Sequence, residues 1–296
     1  MFKKYIYIIC TCVLCMCVQT KIVFADTYIQ GQLITSSTVW KAKQGPYIIQ
    51  GSVLVASSTL RIEAGAVVVF KGGSLMTRGG SISVEGVADK SVRVRVSESG
   101  PVMFSGDHGS ITMHHVNVDN MYNRKLIDAW NRSRVSLTHI EHNGEGADNT
   151  LISVFDNSVS TIDSLRVIGW RYKVLEVFTR SHIDLTNSYF SEGDKALVIF
   201  DESTGTIAHN RFAQYAKAIH VNNAEVEIRK NDFEYNAIAI HKDTAEDMLI
   251  RMHAEDNWWG GTTGVVVLDE LDEFEPVHTN VVVGNILVSP WSSAPN

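Results

Sequence analysis

The chain has 296 residues, 45% hydrophobic and 20% charged, which supplies a core and excludes a chain disordered by composition. Acids outnumber bases by 33 to 26, which argues against nucleic acid as a partner, because phosphates reward clustered Lys and Arg. Few prolines, frequent glycine and long stretches of Val, Ile, Thr and Ser are the composition of many short strands and tight turns.

Lys3 and Lys4 form a basic start, and Tyr5 to Val18 is an apolar run. Val23-Phe24-Ala25 then offers small or apolar residues at the positions a signal peptidase reads, so residues 1–25 are expected to be a signal peptide cleaved before Asp26. The run is shorter than the ~20 residues a spanning helix needs, and the charge of Lys21 prevents its extension. The mature chain is therefore expected to be secreted, extracellular or periplasmic, with no membrane span. Cleavage removes Lys3, Lys4 and Lys21 and no acid, which takes the formal charge from −7 to −10. All four cysteines, Cys10, Cys12, Cys15 and Cys17, leave with the signal, so no disulfide framework remains.

Residues 26–51 read as an N-terminal opening and capping segment around Trp40 and Tyr47. Residues 52–260 read as repeated coils, beginning with Gly-rich strands up to Val96. Ser105-Gly-Asp-His-Gly109 falls in a turn or loop. His114 and His115 are adjacent, so on a strand they face opposite sides and one is expected inside. Residues 261–296 read as a C-terminal closing segment, with a solvated acidic run from Asp269 to Glu275 before final strands near Val281 to Val288.

The coils repeat with a period of ~22 residues. Lys173-Val-Leu-Glu-Val-Phe178 matches Lys195-Ala-Leu-Val-Ile-Phe200, and Lys217-Ala-Ile-His-Val221 comes next. Asn210-Arg-Phe212 recurs as Asn231-Asp-Phe233. Alternation of period two within each copy means strands. A unit this short buries its apolar face only when stacked on its copies, each strand pairing in parallel with the strand one coil away. Leu175, Leu197, Ile219 and Ile240 should form one inward column, and Phe190, Phe212 and Phe233 an aromatic one. Asn210 and Asn231 should form an amide ladder at a turn, with Asn187 slipped by one residue. A leucine-rich repeat needs a leucine ladder and a helical segment, a propeller needs longer blades, and a left-handed β-helix needs a hexapeptide rhythm. None of these is present. The expected fold is all-β, a single-domain right-handed parallel β-helix.

Three stretches carry a family resemblance: Gly45-Pro-Tyr-Ile-Ile-Gln-Gly51 running into Leu60 to Phe70, the Asn-x-Phe coils, and Asp256-Asn-Trp-Trp-Gly260 followed by Ser289-Pro-Trp291. The sequence resembles bacterial secreted proteins with right-handed parallel β-helix repeats, the pectate-lyase-like and NosD-type group. The resemblance implies the fold and little about activity, because one fold hosts many functions. Enzymes of the group are lyases that combine calcium-binding aspartates with an Arg or Lys base, or hydrolases with clustered aspartates. The hydrolase motifs are absent here, so no cofactor is evident, and calcium enters only if the protein is a lyase.

The candidate residues come from these patterns. Asp128, Asp156, Asp184 and Asp201 are expected near turns of successive coils, where Asp commonly bonds its own backbone. His220 and His241 share a coil position and should stack ~5 Å apart on an outward face, with Glu176 two coils before His220. Two imidazoles and a carboxylate suit a transition metal, and the competing reading is a surface ladder. Trp258 and Trp259 read either as a cap on the open end of the stack or as a pair that stacks on a sugar ring. The function expected is an exported, noncatalytic module that binds glycan or another surface polymer. A polysaccharide lyase or glycoside hydrolase and a structural or adhesive surface protein are the alternatives.

Overall fold

Period-two alternation survives into three dimensions as strands that bury every second side chain. Val92–Glu98 buries Val92, Val94 and Val96 and exposes the arginines between them, and Ser81–Glu85 buries Ile82 and Val84. The computed structural model describes residues 26–119, 121, 124–144, 148–243, 252–261, 265–269 and 280–296. Residues 1–25, assigned to a signal peptide, lie outside the described residues, as does the acidic run after Asp269.

Each coil adds one strand to each of three faces. The first face begins with Thr27–Ile29, Tyr47–Ile49 and Val67–Lys71. The second face begins with Gln32–Ile34, Val53–Ala56, Leu75–Arg78 and Phe104–Asp107. The third begins with Thr38–Trp40, Thr59–Glu63 and Ser81–Glu85. Among the described residues the strands of successive coils pair in parallel, which makes a parallel β-solenoid. Coil length varies around the expected period: Arg211 pairs with Asp232, 21 residues on, and Arg134 with Val159, 25 residues on. Strand register is kept from coil to coil apart from shifts at Val96 to Glu98 and at Ile238 to Ile240.

From Ser110 onward one long strand often serves two faces. Ser110–Asp119, Arg134–Asn143 and Val159–Ile168 bend at His115, His139 and Ser164, whose φ angles of 47°, 55° and 57° lie in the left-handed region. Asn187, His209, Lys230 and Asp256 continue that corner with φ of 50–59°. This corner corrects the expectation for His114 and His115. The bend at His115 breaks the alternation, so neither ring is buried, and His115 stacks on His139 at 4.4 Å.

The inward columns form as the spacing predicts. Leu175, Leu197, Ile219 and Ile240 pair in succession, all at most 1% exposed. Phe190, Phe212 and Phe233 stack at 5.3 Å with rings within 14° of parallel. Such pairs add about 0.5–1.5 kcal/mol beyond their burial.

From Ser188 onward the residue after the left-handed corner carries a polar ladder. Asn210 Oδ1 accepts from the Ser188 amide at 2.9 Å, and its Nδ2 donates to the Leu185 and Ala208 carbonyls and to Asn231 Oδ1. Asn231 repeats the pattern onto Asn257. Ser188 holds the ladder position one coil earlier, while Asn187 is the corner residue itself and donates to Asp163. A second asparagine pair, Asn236 and Asn280, does the same work at another corner.

Both ends join the stack of coils, and the final strands fall where the sequence places them, within Val281 to Val288. The segment 26–51 supplies the first coil, Thr27 to Trp40, and opens the second at Tyr47, whose ring stacks on Trp40 at 4.7 Å. In the closing segment 261–296, Val281–Val283 extends the second face and Ile286–Leu287 the third. The polar residues at these strands' margins read as turns in the sequence, but their apolar positions continue the columns.

Candidate functional site

The second face carries three outward columns that run along the solenoid. The aromatic column is Trp130, Phe155, Phe178 and Phe200, with centroids 6.0, 4.9 and 5.2 Å apart and rings within 21° of parallel. All four rings are part-exposed. They arise because in four successive coils the last residue of the second-face strand, or the residue directly after it, is aromatic, as in Lys173-Val-Leu-Glu-Val-Phe178.

Two residues inward runs a polar column. Asp128 pairs with Ser153, Ser153 with Glu176, Glu176 with Val198, Val198 with His220, and His220 with His241. Beyond it lies a cationic column, Lys173, Lys195 and Lys217, paired coil to coil. Lys125 bonds Asp128 at 2.8 Å and Lys173 bonds Glu176 at 2.6 Å, with both partners mostly buried. Burial alone would lower Lys173, yet the bond and charge of Glu176 outweigh it and hold its pKa above the usual lysine value.

The column ends in a cluster that only partly matches the sequence expectation. His220 and His241 stack at 5.0 Å, 12° from parallel, and both are half-buried rather than freely exposed. The carboxylate beside them is Asp243, not Glu176, which is committed to Lys173 and Thr150. His220 Nε2 lies 2.9 Å from Asp243 Oδ2, and His241 Nε2 lies 3.4 Å from Oδ1. Lys217 Nζ donates to His241 Nδ1. Burial, reinforced by the Lys217 and His220 charges and opposed by Asp243, pushes His241 down to about 4. Burial also lowers His220, against the pull of Asp243. Both rings are therefore neutral at neutral pH, which is the state that accepts a hydrogen bond from Lys217 or donates a lone pair to a metal.

Among the described residues, His220, His241 and Asp243 are the one grouping of three metal-capable donors, with ligand atoms within 4.8 Å of one another. Two nitrogens and one oxygen suit a transition metal and not calcium, which takes six to eight oxygens. An imidazole lone pair lies in its ring plane. Two nearly parallel rings 5.0 Å apart share no in-plane point at the ~2.0–2.1 Å a metal needs, so one ring must leave the stack to coordinate.

The four aspartates do not gather. Asp128 lies in Ile127–Trp130 on the second face, and Asp184 lies in His182–Thr186 on the third, paired with His182. Asp156 and Asp201 are corner residues with φ of 55° and 56°, as turn aspartates should be.

The tryptophans are likewise separated. Trp259 is 4% exposed and stacks on Phe233 at 4.9 Å, so it closes the internal aromatic column and corrects the sugar-stacking reading for that ring. Trp258 is half-buried and bridges to Asp232 on the first face, away from the second-face columns. Ser105 to Asp107 belong to a strand, and only His108 and Gly109 form the corner. Sequence reasoning missed Asp243 and the outward aromatic column. The terminal Phe of the Lys-x-Leu-x-x-Phe repeat was the signal for the latter.

These features define a class of protein, an elongated parallel β-solenoid whose outer face repeats the same side chains coil after coil. The family model described as the right-handed beta helix region matches residues 125–285, more than half of the chain. The protein belongs to that family. No curated protein and no solved structure matches the chain.

Proposed function

We propose that the protein is an exported, noncatalytic β-helix module that holds a glycan or another surface polymer along its second face. The observation that carries the reading is the part-exposed aromatic ladder Trp130, Phe155, Phe178 and Phe200, which runs beside polar and lysine columns. Because coils repeat at about 4.8 Å, a polymer lying along the axis meets an aromatic edge at four successive coils, with Asp128 and Glu176 and the lysines of the third and fourth coils beside it. Sugars carry apolar C–H faces and hydroxyls on the same ring, and that mixture is what the three columns offer. Export is supported by the basic start, apolar run and Val23-Phe24-Ala25 of the first 25 residues.

The test is retention of the chain starting at Asp26 on a panel of neutral and uronic-acid polysaccharides, with calcium and with chelator. The reading expects retention by at least one polymer and no release of unsaturated or reducing ends. Turnover would contradict the noncatalytic part, and failure to bind any polymer would contradict the rest.

A second reading, a transition-metal site at His220, His241 and Asp243, is favoured by the three donors within 4.8 Å. Titration with zinc, nickel or copper should then show one site that His241→Ala removes. Equal uptake by wild type and variant would rule the site out.

A further inference from the structure

The corner between the second and third faces lengthens from the coil of Asp107 to the coil of Trp130, and the change leaves a cleft. In the early coils two residues span it: Ser57 and Ser58 between Ala56 and Thr59, Gly79 and Gly80 between Arg78 and Ser81, and His108 and Gly109 between Asp107 and Ser110. In the next four coils three residues span it, first Asn131, Arg132 and Ser133 before Arg134, and last Asp201, Glu202 and Ser203 before Thr204. The longer corner stands as a wall beside the shorter ones. Glycines keep the floor low: a Cβ on Gly109 would sit 2.3 Å from Thr77 Oγ1 and 2.5 Å from the Gly80 carbonyl.

The resulting open cleft is about 410 Å3, and its lining includes the hydroxyls of Ser57, Ser81 and Ser110, the ring of His108, and Arg132 and Arg134. No carboxylate lines it, in a chain with 33 acids. Both arginines are exposed, and neither has a carboxylate partner among the described residues, whereas most other cations on this side are paired. The nearest acid is already engaged. Asp107 Oδ1 takes His108 Nδ1 at 2.7 Å and Asn131 Nδ2 at 2.9 Å, and Arg78 lies 3.5 Å from Oδ2. The Asn131 bond is the largest cause holding its carboxyl below the usual range, with His108 and Arg78 adding to it against burial. Asp107 thus orients His108, and Arg78 beside it offsets its negative charge.

We propose that this cleft binds an oxyanion carried on a sugar, either a uronate carboxylate or a sulfate ester. Guanidinium groups match both geometries with paired N–H donors, and the hydroxyls match the sugar's own. Trp130, the first ring of the aromatic ladder, directly precedes Asn131 and Arg132, so a polymer on the second face reaches the cleft at the ladder's N-terminal end. The inference rests on the reading that the partner is a glycan, and it names the charged class.

The experiment is calorimetric titration of the chain starting at Asp26 with a uronate oligosaccharide, its neutral methyl ester and a sulfated oligosaccharide. Wild type should bind at least one charged ligand about tenfold or more tighter than the ester. The Arg132→Gln/Arg134→Gln variant should lose that preference while its affinity for the ester and its thermal midpoint stay unchanged. The uronate and sulfate arms decide which oxyanion is taken. A variant that keeps the preference, or a wild type that has none, overturns the proposal. Binding of the ester that survives the double substitution while charge preference is lost leaves the ladder reading intact, so the two ideas fail separately.

Discussion

At the residue scale, single side chains replace backbone partners that strand pairing cannot supply at corners. Asn231 accepts the Asn210 amide at 2.9 Å and donates to the Ile207 and Arg229 carbonyls. Asn231→Ala strands these buried groups at about 1–3 kcal/mol each. A thermal or urea melt should show a loss of at least about 2 kcal/mol, and an unchanged midpoint would show that water replaces the amide. Phe212→Ala opens a cavity between two stacked neighbours and should cost about 3–5 kcal/mol by the same melts. The imidazole cluster makes a pH prediction. His241 falls from 6.5 unfolded to about 4 folded, so the unfolded chain takes up the proton first. Stability from this group is full above about pH 6.5 and is lost as pH falls toward 4, and His220 shifts in the same direction. Midpoints measured from about pH 7 to 4 should fall less steeply for His220→Gln/His241→Gln than for wild type. Parallel pH profiles would show that the cluster does not titrate with folding.

At the element scale, the strands are legible in the sequence and the corners are not. Leu175, Leu197, Ile219 and Ile240 stack because parallel pairing converts equal spacing into contact, so an apolar repeat in sequence becomes a column in space. His220 over His241 comes from the same arithmetic. Corner length obeys no such rule. The corner between the first and second faces shortens along the chain, with Ile152, Leu175 and Leu197 following the paired residues Asn143, Ile168 and Ser191 at decreasing distance, which hides Trp130 and Phe155 as equivalents of Phe178. Asn187 resembles a slipped ladder member because the left-handed corner and the ladder position are neighbours, and polar residues suit both. Asp243 belongs to no repeat and reaches the histidines only because it comes directly after Ile238–Lys242 on the same face. Gly109→Ala probes the corner directly. Its new methyl meets Thr77 and the Gly80 carbonyl, so the variant should be destabilised and should lose the cleft's charge preference together.

At the scale of the whole molecule, repetition turns local chemistry into a surface. One part-exposed aromatic ring binds little. Four of them in register beside lysines and hydrogen-bonding groups give a strip that an extended polymer can track across several coils. Each coil then adds a small increment to the same ligand, so affinity should rise with oligosaccharide length up to the span of the ladder. Among the described residues no helix is long and apolar enough to cross a membrane. The measurement that tests the central claim most directly is the affinity of the chain starting at Asp26 for the polysaccharide it retains best, compared with the Phe178→Ala/Phe200→Ala variant, with circular dichroism and thermal melting to verify that both are folded. The folded variant should lose about tenfold or more in affinity, since it removes the apolar ring edges that the polymer covers at two positions. Equal affinity of the folded variant and the wild type would place the polymer elsewhere and contradict the reading of the second face.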